Sequence, residues 1–404
     1  MKSTIGKHRA APAIEVRATS RNPLGMSAQD FLRGYWQKRP LLIRGLFAGG
    51  VNAVAPDDLA GLAGEEAALS RIVVHDEKRD RWTLRNGPFR ATDFAKLGRR
   101  RWTLLVQDVD KWDMDVAALL DRFTFLPSWR IDDVMVSYAT DGGGVGPHVD
   151  QYDVFLMQGM GYRRWSIDAR PRAFAPEAFR DDSELKLLRE FTPTHEWLLD
   201  PGDALYLPPG VPHDGVALGE CTTYSIGMRA PSHAELLFDF VEHLAEPLSE
   251  NDRYVDPDLT PAREAGEIDD AALARVRKAL PHFTHVENSV LAHWFGCFIT
   301  RYRSAQIVAA PRKPIELAAL RQRLPRSAIL RNPFSRFAWR RAGRSAQLFV
   351  AGEAMACPLI FARQIGAQRE IDGSAFATAD EATLQMLKML LDTGHLQLVP
   401  QRRR

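Results

Sequence analysis

Residues 142–155 read Gly-Gly-Gly-Val-Gly-Pro-His-Val-Asp-Gln-Tyr-Asp-Val-Phe, a glycine-rich lip that leads directly into His148 and Asp150. In an extended segment residues i and i+2 point to the same face, so these two side chains are predicted to face inward together. Another histidine, His213, ends the proline-containing run 201–213 (PGDALYLPPGVPH). If His213 comes from a neighbouring strand, two imidazoles and one carboxylate converge on a single metal ion.

This ligand set is the facial triad of non-haem Fe(II) sites, which leaves coordination positions open for a co-substrate and dioxygen. Taken singly, each histidine is more often a core or surface residue, and a lone His-x-Asp triplet arises by chance. The context favours a metal, because the glycines before His148 allow close approach of backbone or substrate and prolines stiffen the loop before His213. The sequence therefore predicts an Fe(II) site formed by His148, Asp150 and His213.

The composition is that of an ordinary globular protein. The 404 residues are 45% hydrophobic and 26% charged, and the net charge of +2 argues neither for nor against a polyanionic partner. The three cysteines (Cys221, Cys297 and Cys357) are widely spaced and odd in number, which fits a reducing compartment and excludes a disulfide scaffold. No stretch has the length needed to cross a bilayer, so no membrane partner is expected. We expect a cytoplasmic protein.

Short β segments bounded by Gly, Pro and Asp dominate the first half of the chain. They are predicted at 102–108, 133–138, 153–158, 162–167, 195–199, 204–207 and 222–229, with a polar, partly helical insertion at 171–190. Closely spaced short strands with turn signals are typical of a jelly-roll. Ahead of them, the basic stretch 1–22 is predicted to be a disordered lead-in, and Ser27 is predicted to cap a helix that ends before Pro40.

After Pro231 the chain becomes helical. Apolar residues recur at helical spacing in 233–246, and further helices are predicted at 270–279 and 286–303. From about residue 311, predicted helices (315–324 and 381–391) mix with predicted strands (346–350 and 396–399), a pattern that suits a small winged-helix module. The fold class is therefore predicted to be α+β.

Four long motifs resemble one enzyme family. They are the stretches 35–43 (YWQKRPLLI), 142–155, 158–165 (QGMGYRRW) and 201–213. The central region resembles the Jumonji C (JmjC), cupin-type oxygenases that depend on Fe(II) and 2-oxoglutarate, and the whole chain is similar to the bacterial ribosomal oxygenases. The resemblance implies a double-stranded β-helix catalytic domain at 23–230, a helical dimerisation region at 231–310 and a winged-helix-like domain at 311–404.

The resemblance also implies roles for individual residues. His148, Asp150 and His213 would bind the iron, and Arg163 would pair with the distal carboxylate of 2-oxoglutarate, since a guanidinium offers a planar fork that keeps its proton. Ser137 would be a second donor to the co-substrate. The family pattern has another serine where this chain has Ala139, which removes one possible polar contact and leaves more of the anchoring to Arg163.

The activity implied is 3-hydroxylation of an arginine in a large-subunit ribosomal protein of the uL16 type, with dioxygen as oxidant. Asp132, Asp153 and Asp214 lie near site elements in the sequence and could bind the arginine, although each has an ordinary reading as a turn or strand-edge residue. The alternatives are a histidyl hydroxylase, a lysyl demethylase, a cupin enzyme that does not use 2-oxoglutarate, and a non-catalytic cupin.

Two further features concern partners. The arginine-rich stretch 321–344 and Arg402-Arg403-Arg404 invite a nucleic-acid interpretation, but arginine exceeds lysine throughout the chain, so nucleic-acid binding is not expected as the main function. Trp294, Phe295 and Phe298 would be exposed unless they pack within the chain or against a second copy, and the family implies a homodimer.

Overall fold

The described part of the computed structural model comprises residues 14–170, 175–249, 253, 255–259, 270–279, 286–301 and 308–401. The chain divides into two compact units, Met1–Ala230 and Pro231–Arg404. This division falls at the predicted change from β-rich to helical sequence.

The first unit contains twelve strands and five short α-helices among its described residues. The strands are β1 (Glu15–Arg17), β2 (Leu41–Arg44), β3 (Ser70–Asp76), β4 (Arg81–Asn86), β5 (Trp102–Val106), β6 (Ile131–Ala139), β7 (Val154–Gln158), β8 (Tyr162–Ile167), β9 (His195–Leu199), β10 (Ala204–Leu207), β11 (His213–Leu218) and β12 (Cys221–Met228). The helices are α1 (Ala28–Gly34), α2 (Pro56–Leu62), α3 (Ala91–Phe94), α4 (Val109–Trp112) and α5 (Met114–Ala118).

These strands form two sheets. A nine-stranded sheet has the order β1-β2-β10-β7-β12-β6-β5-β3-β4, and a three-stranded sheet has the order β11-β8-β9. Leu156 and Leu205 from the large sheet pack in one apolar cluster with Trp165 and Ile167 from the small sheet. The two sheets therefore share an interior, which is the predicted double-stranded β-helix.

The predicted helix cap at Ser27 is confirmed. The Ser27 side chain accepts a hydrogen bond from the backbone N–H of Asp30, and Phe31 in α1 is fully buried. The Phe31 ring packs edge-on against Tyr206 of β10, with 5.0 Å between ring centroids. The helix thus covers the outer face of the large sheet.

The structure corrects two sequence-based expectations. Residues 1–13 of the predicted disordered lead-in lie outside the described residues, but Glu15–Arg17 forms β1, which pairs in parallel with β2. His148 and Asp150 lie in an irregular segment, where His148 makes only isolated bridges to Leu187 and His213. The glycines and proline that precede His148 explain why no regular strand forms there.

The second unit is built from helices and two small sheets. Its helices are α6 (His233–Ala245), α7 (Asp270–Ala279), α8 (Asn288–Thr300), α9 (Leu317–Arg323), α10 (Leu359–Ala367) and α11 (Glu381–Asp392). Its strands are β13 (Ser327–Arg331), β14 (Phe337–Ala342), β15 (Ser345–Val350), β16 (Glu353–Pro358), β17 (Glu370–Asp372) and β18 (Leu396–Pro400), paired as β17-β13-β18 and β14-β15-β16.

Helix α8 packs directly on the β14-β15-β16 sheet. A Cβ on Gly296 would lie 2.4 Å from the ring of Phe349 in β15, so only glycine allows this approach. The predicted domain boundary at residue 310 therefore separates elements that pack together among the described residues. Trp294 and Phe298 of α8 are buried within the chain, where Trp294 packs against Phe240 of α6.

None of the helices in the described ranges combines the length and apolar character that crossing a lipid bilayer requires.

Candidate active site

His148 and His213 are tied together through their backbones. The N–H of each residue donates to the carbonyl oxygen of the other, and both N···O distances are 3.0 Å. The centroids of the two imidazole rings lie 4.1 Å apart. This pairing places the two histidines side by side, as the sequence analysis predicted for residues distant in the chain.

A local hydrogen bond orients each imidazole ring. Nδ1 of His148 lies 2.9 Å from the Gly146 carbonyl oxygen, and Nδ1 of His213 lies 2.9 Å from the Val211 carbonyl oxygen. Because a carbonyl can only accept, each Nδ1 carries the proton and each Nε2 has a free lone pair. Such backbone partners are typical of histidines that bind metals.

Asp150 completes the cluster. Its Oδ2 lies 3.6 Å from Nε2 of His213, and one ligand atom from each of His148, Asp150 and His213 lies within 4.8 Å of the others. Burial and the neighbouring His148 lower the pKa of His213 to about 4, which keeps this imidazole neutral at physiological pH. The set of two imidazoles and one carboxylate fits one divalent ion.

The glycine lip lets β11 approach this cluster. The backbone N–H of Gly142 donates to the Ala217 carbonyl oxygen at 2.9 Å. A Cβ on Gly144 would lie 2.5 Å from the Gly215 carbonyl oxygen, closer than real Cβ contacts allow. The lip is therefore glycine-rich because two backbones meet there, which confirms the close approach that the sequence indicated.

Arg163 carries an unsatisfied guanidinium inside the barrel. The residue is 5% exposed, and its Nη1 donates to Oγ1 of Thr223 at 3.3 Å. Its Nε and Nη2 are buried and have no hydrogen-bond partner among the described protein atoms. A buried arginine with two free donors fits a carboxylate ligand, which would accept from both at once. Arg164, by contrast, has a half-exposed side chain near Glu196.

Ser137 lies beside this arginine site. It is buried on β6 and paired in register with Thr223 of β12, so that both side chains point to the barrel interior. Ala139, two residues further, is fully buried in a small apolar cluster with Ala217 and Cys221. An alanine therefore suits its surroundings where the family pattern has serine.

The three aspartates named from sequence lie in different surroundings. Asp153 is fully buried and accepts hydrogen bonds from Tyr206 Oη at 2.6 Å and Gln37 Nε2 at 3.0 Å, so it belongs to a structural network. Asp214 directly follows His213 on β11, and Asp132 lies 4.0 Å from Arg229. Because successive strand residues alternate, Asp214 is on the face opposite His213.

Sequence reasoning missed Asp133. This residue is 7% exposed and shares its face of β6 with Met135 and Ser137. Burial and the nearby Asp108 and Asp132 carboxylates raise the pKa of Asp133 to about 7. Period-two counting back from Ser137 was the available signal.

Tyr152 lies within electrostatic range of Asp133 and of Asp150. Its phenol is partly exposed, and partial burial together with the Asp150 and Asp133 carboxylates raises its pKa, while Arg71 lowers it. Tyr152, Asp133, Asp150 and Arg71 are therefore close enough for the three charged groups to act on the phenol. This set of side chains includes two carboxylates and one guanidinium, so it is acidic overall.

Comparisons with known proteins agree with this geometry. A JmjC domain model matches residues 118–236, and a ROXA-like winged-helix model matches residues 283–397. The ribosomal protein uL16 3-hydroxylase of Escherichia coli is 36% identical over 307 residues, which are 76% of this chain and 80% of that protein. The chain belongs to the ribosomal oxygenase family.

Other members of the ribosomal oxygenase family resemble the chain in sequence and in structure. A probable ribosomal oxygenase of Haemophilus influenzae is 36% identical over 238 residues, 59% of this chain and 56% of that protein. The structure of the Escherichia coli ribosomal oxygenase YcfD in complex with cobalt and 2-oxoglutarate matches with a TM-score of 0.79 and 33% identity, covering 93% of this chain and 99% of that chain. The predicted family, the cupin core and the C-terminal winged helix are confirmed.

Proposed function

We propose that this protein is an Fe(II)- and 2-oxoglutarate-dependent hydroxylase that acts in the cytoplasm on an arginine of ribosomal protein uL16. The observation that carries the proposal is the pairing of a three-residue metal cluster with a buried, unsatisfied Arg163 in one barrel. A metal cluster alone fits many cupins. The unsatisfied guanidinium adds a demand for a dicarboxylate co-substrate.

His148, Asp150 and His213 hold the metal ion, and Arg163 and Ser137 hold 2-oxoglutarate. Bound Fe(II), with 2-oxoglutarate and dioxygen, supplies the oxidising chemistry that places one oxygen atom in a substrate C–H bond and leaves succinate and carbon dioxide. The protein's own residues fix the ligand geometry, keep the His213 imidazole neutral and exclude water from the barrel. Solved complexes of the Escherichia coli relative with cobalt and 2-oxoglutarate, and with cobalt and succinic acid, support this assignment.

The side chains at the barrel mouth are suited to bind a cationic side chain of the substrate. Asp133, Met135 and Tyr152 present a carboxylate, an apolar surface and a phenol beside Asp150. A guanidinium would hydrogen-bond with the carboxylate while its methylene stem packs on the thioether. The Escherichia coli relative is a ribosomal protein uL16 3-hydroxylase, which supports uL16 as the substrate, while arginine as the residue modified rests on the acidic side chains at the barrel mouth.

The test is a reaction of purified protein with Fe(II), 2-oxoglutarate, dioxygen and a uL16 fragment, followed by peptide mass spectrometry. One oxygen atom added to one arginine, and lost in His148→Ala and Asp150→Ala, is the expected result. Oxygen on a histidine, or formaldehyde released from a methylated lysine peptide, would replace arginine hydroxylation by another activity of the class. The absence of both oxygenated peptide and succinate would overturn the enzymatic proposal.

Asp133→Asn tests the substrate contact. Removing the negative charge should raise KM for the uL16 fragment by about tenfold, the value of a charge-assisted hydrogen bond. The Kd for 2-oxoglutarate should not change, because Asp133 lies four residues before Ser137 on β6, about 13 Å along the strand from the co-substrate contacts. An unchanged KM would remove Asp133 from the substrate site.

We also propose that the protein forms a homodimer through its helical region. Several large apolar side chains of α6, α7 and α8 are exposed: Leu237, Phe238, Leu273, Val276, Val290 and Leu291. Phe238 is 76% exposed, so most of its ring faces water in a single copy of the chain. A second copy of the chain is the simplest partner for such a surface.

A further inference from the structure

A second unsatisfied donor lies in the barrel beside Arg163. Trp165 is 4% exposed, and its indole Nε1 is buried with no hydrogen-bond partner among the described protein atoms. An indole N–H can only donate, and buried tryptophans usually find an acceptor. Leaving such a group unpaired in the protein interior is unfavourable, so the position of this N–H calls for an explanation.

The indole lies between the proposed co-substrate anchor and the metal cluster. Residues 163 and 165 share a face of β8, and the guanidinium carbon of Arg163 is 5.5 Å from the Trp165 ring centroid. On its other side, the Trp165 ring centroid is 5.9 Å from that of His213. The side chain thus lies beside both places where the two ends of a keto diacid would bind.

A glycine on the neighbouring strand makes room for this ring. Gly215 of β11 is paired in register with Trp165, and a Cβ at that position would lie 2.6 Å from ring atoms of the indole. The ring therefore lies across the strand, and the barrel accommodates a full bicyclic side chain there. A phenyl ring would fill much of the same apolar volume without introducing a buried donor.

We propose that the indole N–H of Trp165 donates a hydrogen bond to a carboxylate oxygen of 2-oxoglutarate and, with Arg163, positions this co-substrate in front of the metal. The inference rests on the proposed 2-oxoglutarate dependence. It assigns the three unsatisfied donors of β8, namely Nε and Nη2 of Arg163 and Nε1 of Trp165, to one dicarboxylate. Three donors from one strand face would hold the ligand more rigidly than the arginine alone.

Trp165→Phe tests the assignment by removing the N–H while keeping an aromatic ring. The Kd of 2-oxoglutarate is measured by anaerobic calorimetry on protein loaded with Co(II), and Co(II) binding itself is measured beforehand. We expect 2-oxoglutarate to bind at least about tenfold more weakly, as for loss of a hydrogen bond to a charged group, with Co(II) affinity unchanged.

Trp102→Phe is the matched control. The Trp102 indole N–H already donates to the Gly98 carbonyl oxygen at 2.7 Å, so its loss should leave 2-oxoglutarate affinity unchanged. If wild-type protein binds Co(II) but not 2-oxoglutarate, the proposed function fails together with this inference. If wild type binds the keto acid and Trp165→Phe binds it equally well, only the role of Trp165 is overturned.

An NMR measurement keeps the proposal testable if the variant is unstable. Wild-type protein labelled with ¹⁵N-tryptophan and loaded with diamagnetic Zn(II) should give nine indole N–H signals, one for each tryptophan. Addition of 2-oxoglutarate should move one signal downfield and slow its exchange with water, and replacing Zn(II) by paramagnetic Co(II) should broaden that same signal. If no indole signal that Co(II) broadens moves on addition of 2-oxoglutarate, the proposed hydrogen bond is contradicted.

Discussion

Two backbone carbonyls decide which nitrogen of each histidine can bind a metal. Gly146 and Val211 accept the Nδ1 protons of His148 and His213, and this leaves both Nε2 lone pairs for the ion. Each acceptor lies two residues before its histidine, so the orientation is set by local chain geometry. The relation between the two histidines depends instead on a long-range backbone bridge.

Arg163→Lys should separate charge from geometry at the co-substrate anchor. Lysine keeps the positive charge but loses the planar fork that offers Nε and Nη2 together, so the Kd for 2-oxoglutarate should rise by about tenfold or more. The measurement is calorimetry on Co(II)-loaded protein. Arg164→Lys, at a half-exposed neighbouring residue, should bind as wild type does. Equal affinities for all three proteins would exclude Arg163 as the anchor.

Asp133 predicts a specific pH dependence of stability. Its pKa is raised from 3.8 to about 7 by burial and by neighbouring carboxylates, so between these values the folded state holds a proton that the unfolded state releases. The stabilisation of the fold by protonated Asp133 is fully present below about pH 4 and is lost as the pH rises through about 7. The full change is on the order of 4 kcal/mol, since each pKa unit corresponds to about 1.4 kcal/mol.

Asp133→Asn should remove this contribution. The free energy of unfolding of the variant, relative to wild type, should increase by a few kcal/mol between pH 5 and pH 8 in urea titrations. Asp58→Asn, which removes an exposed carboxylate from α2, serves as the comparison. A difference between Asp133→Asn and wild type that is independent of pH would show that Asp133 is ionised in the folded protein throughout this range.

At the scale of elements, glycines inside the barrel make room for a large ring and for a neighbouring backbone. Gly215 of β11 faces Trp165 of β8, and Gly144 of the lip faces the Gly215 backbone. These glycines allow the lip, β11 and β8 to lie close enough for His148 and His213 to share a metal. Strand β11, which carries His213, is therefore positioned by packing against β8 on one side and against the glycine lip on the other.

Gly215→Ala should disturb both packing and ligand binding. The added Cβ would lie 2.6 Å from the Trp165 ring, so we expect a loss of about 1–3 kcal/mol of stability and weaker binding of 2-oxoglutarate. Chemical denaturation and calorimetry provide the two measurements. Gly61→Ala in α2, where nothing lies within 4 Å of the new Cβ, should be neutral or slightly stabilising. A fully stable Gly215→Ala would mean that the indole can move aside freely.

At the scale of the whole molecule, the metal cluster and the exposed apolar helix surfaces belong to different units. The catalytic cluster, Arg163 and Trp165 all lie in the unit Met1–Ala230, whereas the exposed apolar helix surfaces lie in the unit Pro231–Arg404. Trp294 is buried within the chain and donates to Asp239 at 2.8 Å, so it does not itself need a second copy. The case for a dimer comes from other residues of the same helices.

Phe238→Glu should weaken the proposed homodimer. A carboxylate buried without a partner at an interface costs several kcal/mol, so dimerisation should become on the order of a hundredfold weaker. Light scattering coupled to size exclusion should then report a mass near 45.4 kDa at concentrations where wild type shows twice that value. Ile360→Glu, at an exposed residue of α10, should leave the mass unchanged. A wild-type protein that is monomeric at high micromolar concentration would contradict the proposal.

The sequence by itself predicted about half of the strands and helices. Strand β8 and helix α7 have the predicted bounds, and α6 ends within one residue of its prediction. Hydrophobic periodicity and Gly, Pro and Ser signals are local, so they can be read without the fold. The same locality explains why His148 and Asp150 were expected on a regular strand. Extended sequence patterns do not reveal whether a partner strand is available for regular pairing.

The candidate site shows the same difference between what local sequence indicates and what the tertiary structure decides. His148, Asp150, His213 and Arg163 were nominated by their chemistry and by motif resemblance, but only the tertiary structure brings their atoms together and leaves Arg163 unsatisfied. Strand alternation places Asp133 on the face of Ser137, but its burial, like the unpaired indole N–H of Trp165, is visible only in the tertiary structure. Local chain chemistry selects which residues are available, and long-range packing decides which of them share one interior.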